Sequence, residues 1–311
     1  MLYRLILITI VSFLIISCKK EVENVVEDEI NNMEIIPGST FQEDDGPRLY
    51  FRLVLDPNQE RLDIFGQPEV MPSNHSAINP VMEGFAIHTI ELVPNAYTAF
   101  GAGEMVYYAP MLAANHAVIF DSLQVVQTGD IVYSIPISQV EPGTYEYSRV
   151  SVAYQNYDVP FRAYGFDLVG RVSSFLGHNN YISKHKIKDL TVTVNDSKGQ
   201  GYFAFETPEI VVGSYVHPAE YNEYTAPVTT VPNPISGTSP IPLGSCTLTG
   251  QFPTSFTLTG NETSDIYIDL SFSTNNSFEW EDANGNGIYE PLDGDVVHDM
   301  GVRGLIPKVA P

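Results

Sequence analysis

From Arg48 onward, apolar and polar residues alternate with a period of two rather than 3.6, in short runs rich in Val, Ile, Tyr, Phe and Thr. Successive side chains of a strand point to opposite faces, so this period marks strands with one face buried. The run Ile266 to Phe272 shows it most plainly: Ile266, Ile268, Leu270 and Phe272 share one parity, and Tyr267, Asp269 and Ser271 share the other. The same reading predicts strands over 49–55, 86–92, 106–108, 116–120, 131–137, 145–154, 190–194, 202–205 and 246–252, bounded by Gly, Pro, Asn and Asp. No stretch carries the pattern of an amphipathic helix. The expected fold is all-β, an antiparallel β-sandwich. Its length favours two packed sandwich units, residues 48–170 and 171–311, divided where Gly177-His178-Asn179-Asn180 breaks the strand rhythm. The proline-rich stretch from Thr207 to Pro242 is expected to wrap the sandwich edge as an irregular cover, because proline cannot donate to an inner ladder.

Before Arg48 the pattern is different. Arg4 precedes an apolar run from Leu5 to Ile16, broken only by Thr9 and Ser12, and then comes Ser17-Cys18. A run this short falls below the ~20 apolar residues that span a bilayer, and it has the form of a secretory leader, residues 1–17. Ile15-Ile16-Ser17-Cys18 resembles the bacterial lipobox. That resemblance implies that Cys18 is acylated and becomes the mature N-terminus, with several acyl chains, palmitate among them, holding the protein to its membrane. Residues 18–47 follow as Lys19, Lys20 and a series of acidic side chains from Glu21 to Asp45, the composition of a solvated tether. The basic-then-acidic order resembles the surface-export signal of Bacteroidota lipoproteins. It implies an outer-membrane lipoprotein on the cell surface, with the periplasmic face as the alternative.

Charge narrows the partners. The formal net charge is −23, and loss of a leader that carries only Arg4 makes it one unit more negative. With no Lys or Arg cluster, nucleic acid is not an expected partner, while cations are. Of the two cysteines, one is committed to lipid, so Cys246 is left without an internal disulfide partner. Its parity with Leu248, Gly250 and Phe252 places it on the inward face of a strand.

One segment carries recognisable chemistry. Asp282-Ala-Asn284-Gly-Asn286-Gly287-Ile288-Tyr-Glu290-Pro-Leu-Asp293 puts oxygen-bearing side chains at loop positions 1, 3, 5, 9 and 12, with glycine at 6. Calcium takes six to eight hard oxygens, and a loop turning at glycine aims alternate side chains at one centre. The predicted ligands are Asp282, Asn284 and Asn286 through side-chain oxygens, Ile288 through its carbonyl, Glu290 directly or through water, and Asp293. Asp295 stands by because an Asp at position 12 reaches less far than the usual Glu. Phe278 and Trp280 enter the loop, and Val296 to Met300 leaves it, as strands, so it resembles EF-hand-like loops grafted between strands of secreted proteins. An Asn-Gly turn holding no metal is the alternative.

The seven histidines show no close metal spacing. Met71, His75, Met82, Met105, Met111 and His116 nevertheless fall in one third of the chain, and Met with His suits copper. No nucleophile elbow, zincin helix, phosphate loop or Cys-His pair is present. Pro142 to Gln155, Asn275 to Trp280 and Asp299 to Leu305 resemble segments of Bacteroidota surface lipoproteins. Ala86-Ile-His88-Thr-Ile-Glu-Leu92 with Pro142-Gly-Thr-Tyr145 is similar to MbnP-type copper-binding exported proteins, which would make His88 a residue of interest. The expected function is therefore a calcium-stabilised, non-catalytic surface binding or accessory lipoprotein with a protein or glycan ligand. A copper-binding exported protein and a glycan-active enzyme are the alternatives.

Overall fold

The computed structural model describes residues 33–226, 234–238 and 246–310. Cys18, the leader 1–17 and the tether as far as residue 32 lie outside the described residues. The chain is all-β, and among the described residues the only helical turns are three short 3-10 segments. No helix among them is long and apolar enough to cross a membrane.

In chain order the strands are β1 (Ile35–Ile36), β2 (Arg48–Asp56), β3 (His75–Ile78), β4 (Val81–Val93), β5 (Glu104–Tyr108), β6 (Met111–Leu112) and β7 (Val118–Ile119). They continue as β8 (Ile131–Pro136), β9 (Gly143–Ala163), β10 (Phe166–Phe175), β11 (Asn180–Lys186), β12 (Thr191–Lys198) and β13 (Tyr202–Thr207). The last eight are β14 (Ile210–Val212), β15 (Tyr215–His217), β16 (Glu220–Thr225), β17 (Thr247–Leu258), β18 (Ile266–Ser273), β19 (Phe278–Glu281), β20 (Val296–Met300) and β21 (Leu305–Val309).

The spine is β9, 21 residues long. Its first half pairs with β17, its second half with β10, and its other edge with β4, giving a curled sheet of order β16-β13-β10-β9-β4-β5 with β17 alongside. A second sheet, β21-β18-β2-β8, covers the β4, β9 and β17 end. Between them lies the main core, with Phe51, Phe85, Ile90, Val150, Leu270 and Phe272 essentially removed from water. Within that sheet β18 runs parallel to β2, from Ile266 opposite Leu49 to Ser273 opposite Asp56. At the other end of β9, the ribbon β20-β19-β3 covers one face of the large sheet through Phe278, Trp280, Val297 and Met300. The sheet β1-β6-β7-β11-β12 covers the opposite face through Ile182 and Val192.

Three sequence expectations need correction. The division between 170 and 171 falls inside β10, and strands from both sides of it share sheets, as β2 does with β18 and β9 does with β17. Gly177 does break the strand rhythm, but it turns the chain against Val152 without separating units: a Cβ there would lie 2.4 Å from the Val152 carbonyl oxygen. The part of the predicted tether from Met33 to Pro47 is built into the fold, since its few apolar residues find partners. Ile35 pairs with Leu112, the Ser39 amide donates to the Tyr108 carbonyl at 2.8 Å, and Phe41 packs on the core beneath the Arg48 guanidinium. Finally, residues 207–225 form β14, β15 and β16 in place of an irregular cover; residues 227–233 and 239–245 lie outside the described residues.

Candidate functional site

The loop between β19 and β20 is organised by its acidic side chains. Both Asp282 oxygens accept backbone N–H groups: Oδ1 from Gly285 at 2.7 Å and Asn286 at 3.2 Å, and Oδ2 from Gly287 at 2.7 Å. Oδ2 also accepts the Ser76 hydroxyl of β3 at 2.7 Å, and that bond above all holds the carboxyl below its ordinary range. The turn requires left-handed backbone at Gly285 (φ 70°) and Gly287 (φ 75°), which residues bearing a Cβ adopt at a cost. The side-chain amides of Asn284 and Asn286 both donate to Glu290 Oε2, at 2.9 and 2.6 Å, and lower the Glu290 pKa. Asp295 braces the loop: Oδ1 accepts the Ala283 N–H at 3.0 Å and Oδ2 the Glu290 N–H at 2.7 Å.

The structure therefore brings together Asp282, Asn284, Asn286, Glu290 and Asp295. The Asp293 side chain is exposed, and its backbone N–H donates to the Glu290 carbonyl at 2.9 Å. The Ile288 N–H bonds Asn286 Oδ1 at 2.7 Å. Among the described residues no group of three or more His, Cys, Asp and Glu is arranged to hold a metal ion. A cation here would depend on Asn oxygens and backbone carbonyls beside Asp282 and Glu290. The donor set, all oxygen, fits a hard divalent ion. A half-turn of the Asn284 and Asn286 amides would replace nitrogen with oxygen at the Glu290 carboxylate.

Beyond the loop, the large sheet extends past its cover. On one face of β9, β10, β13 and β16 the aligned positions are Phe161 and Leu168, then Val172, Phe205 and Asn222, then Phe203 and Tyr224. Together with Tyr289, Pro291, Leu292 and Val296 from the loop side they enclose a cavity of about 800 Å3. The walls are aromatic: Phe161 meets Phe205 edge-on at 5.2 Å, Phe203 stacks on Tyr224 at 5.2 Å, and Tyr289 packs on Phe278 and Trp280 at 5.1 and 5.5 Å. Gly170 leaves room for the Phe205 ring over β10, since a Cβ there would come within 2.4 Å of it. Tyr164, Tyr215, Tyr224 and Leu292, all lining residues, are also exposed. The cavity was missed in the sequence because its residues are scattered over four strands and a loop. Their alternation shows a shared face but not that the face is left uncovered.

Histidines meet in two places. His88 and His178 pack at 4.7 Å with the Ser151 hydroxyl between their Nδ1 atoms, and His75 packs on His298 at 4.4 Å. Burial pushes His178 down to about 4 and His88 well below its ordinary value. His88 Nε2 is buried without a hydrogen-bond partner. Met82 packs against the main core. Cys246 is half-buried against that core, and burial pushes its thiol up to about 12, which leaves it protonated and unreactive at neutral pH. Comparison with protein-family models, with curated proteins and with solved structures found no match.

Proposed function

We propose that the protein is a lipid-anchored, calcium-stabilised, non-catalytic binding or accessory module of the bacterial outer membrane. The observation that carries this reading is the junction of loop and cavity: the segment whose oxygens suit calcium also supplies Tyr289, Pro291, Leu292 and Asp295 to the cavity wall. Pockets for small molecules are largely apolar and a few hundred Å3 in volume, with a few fixed polar groups, and this cavity has that character. Calcium would stabilise the wall by binding the folded loop and not the unfolded chain. The lipid anchor at Cys18 and the acidic residues after it, read from the sequence, support placement at the envelope, facing the cell surface or the periplasm.

The test is thermal unfolding with calcium and with chelator. Calcium at a hundredfold above its Kd should raise Tm by roughly 5 °C through mass action. Asp282→Ala should abolish that increment. A Tm that is the same in calcium and in chelator would remove calcium from the reading.

The buried pair His88–His178 supports a second reading, copper binding. With its proton on Nδ1 toward Ser151, His88 presents a bare Nε2 lone pair, a good ligand for copper. Elemental analysis after copper loading and desalting should then find one copper per chain, reduced to background in His88→Phe. Background copper in the unaltered protein would end this reading.

A further inference from the structure

We infer that the cavity beside the loop is a site for a small organic cation, one with an apolar, ring-bearing body and an ammonium-type head. The inference rests on the binding-module reading above and does not depend on calcium. The first argument is the lining. Among the described residues that line the cavity there is no Lys or Arg, and the charged side chains are Glu220 and Asp295, with His217 as the sole histidine. Asp295 is occupied by two backbone N–H groups. Glu220 is not: it lies on the edge strand β16 with its side chain more than half exposed, 3.9 Å from His217. Arg162, whose backbone N–H donates to the Tyr289 carbonyl, has its guanidinium 2.7 Å from Asp167 and 3.8 Å from Glu290. An anionic head would meet Glu220 with no Lys or Arg in the lining to offset it.

The second argument is the wall material. Ring faces carry negative quadrupole charge and attract cations, most strongly where water is excluded. Phe161, Phe203, Phe205, Tyr224 and Tyr289 all line one space, so a bound cation lies among aromatic rings. The third is the field of the whole chain, whose formal charge of −23 concentrates cations at its surface. Depth supplies the hydrophobic contribution, rim and rings supply the preference of sign, and the exposed collar of Tyr164, Tyr215 and Leu292 marks the way in.

The experiment uses three fluorescent probes that share one apolar rod: the trimethylammonium derivative of diphenylhexatriene, the uncharged parent, and the propionate derivative. Each is titrated onto the purified full chain at low salt, with and without calcium. The cation should saturate at one per chain and bind about tenfold more tightly than the propionate, with the parent between them. Glu220→Gln, a change on an exposed side chain, should erase most of the difference between cation and propionate. Tyr224→Ala with Leu292→Ser, also exposed positions, should weaken all three probes while leaving the melting curve in place. Every variant carries the same N-terminus, so probe taken up by the leader is common to all and subtracts. Equal binding of all three probes, or an undiminished difference between cation and propionate in Glu220→Gln, overturns the inference and leaves a binding module of another specificity. If no probe distinguishes the Tyr224→Ala, Leu292→Ser variant from the parent protein, both the inference and the binding-module reading fall. A calcium-independent Tm alongside the expected probe order removes only the metal.

Discussion

Replacing Glu91 by alanine is expected to destabilise the fold by about 3–5 kcal/mol, the cost of leaving a buried charge without its partner. Glu91 and Arg149 face each other across β4 and β9 at 3.0 Å, and both side chains are fully buried. The remaining polar atoms are satisfied as well. Glu91 Oε1 accepts the Gly101 and Gly103 N–H groups at 3.0 and 2.8 Å, while Arg149 Nη2 donates to the Ala96 and Thr98 carbonyls at 3.2 and 2.7 Å. The pair thereby fixes the loop between β4 and β5 from both sides. Burial nonetheless raises the Glu91 pKa and lowers that of Arg149, so desolvation opposes the pair throughout. From this comes a sharper expectation: Glu91→Leu combined with Arg149→Met should recover most of the stability that Glu91→Ala loses. Chemical denaturation of the three proteins checks both statements, and a Glu91→Ala variant within about 1 kcal/mol of the parent would show that water reaches the pair.

Acidification from pH 6.5 to 5 is expected to destabilise the protein ahead of most carboxylate protonation. His88, His178 and His185 are all held neutral by burial, the last two down to about 4. Between pH 6.5 and 4 the unfolded chain takes up protons at these positions and the folded chain does not, so stability present above pH 6.5 is lost as pH falls toward 4. His185 is almost wholly buried, with Nδ1 2.8 Å from the Ser173 hydroxyl. At about 1.4 kcal/mol per pKa unit, His185 alone accounts for roughly 3 kcal/mol across its full range. Urea midpoints measured every half unit should slope down through this window, and His185→Gln should flatten part of that slope. An unchanged slope in the variant would mean that His185 is protonated in the folded state.

How much of this was legible in the sequence depended on whether the deciding information was local. Alternation identified the buried face of β18, and Ile268, Leu270 and Phe272 are indeed withdrawn from water. It could not identify the partner of β18, because β2 lies more than two hundred residues away and a parallel pairing leaves no turn between the two to read. For β9, the expected strand stopped at Tyr154 because Gln155, Asn156, Asp158 and Pro160 interrupt the apolar run. The strand continues because those polar groups are met from neighbouring elements: Asn156 donates to the Ile187 carbonyl at 2.9 Å, and Arg171 of β10 reaches Asp158 with both ends of its guanidinium. The loop residues proposed as ligands were legible as residue types at a spacing, and the structure gathers five of the seven through hydrogen bonds within the loop. Asp293 was included by position number alone; with Pro291 and Leu292 on the cavity side, the chain carries it outward into solvent.

The pairing of β2 with β18 also governs the order in which the molecule can be completed. A growing chain emerges amino end first, so Arg48–Asp56 appears early and then lacks one flanking strand until Ile266–Ser273 has been made. Only β8 can shelter it in the meantime, and on one side alone. Closure waits until residue 273 has been made, and distant pairings of this kind fold slowly. Any product truncated upstream of residue 266 would carry an open, apolar strand edge, a ready template for aggregation.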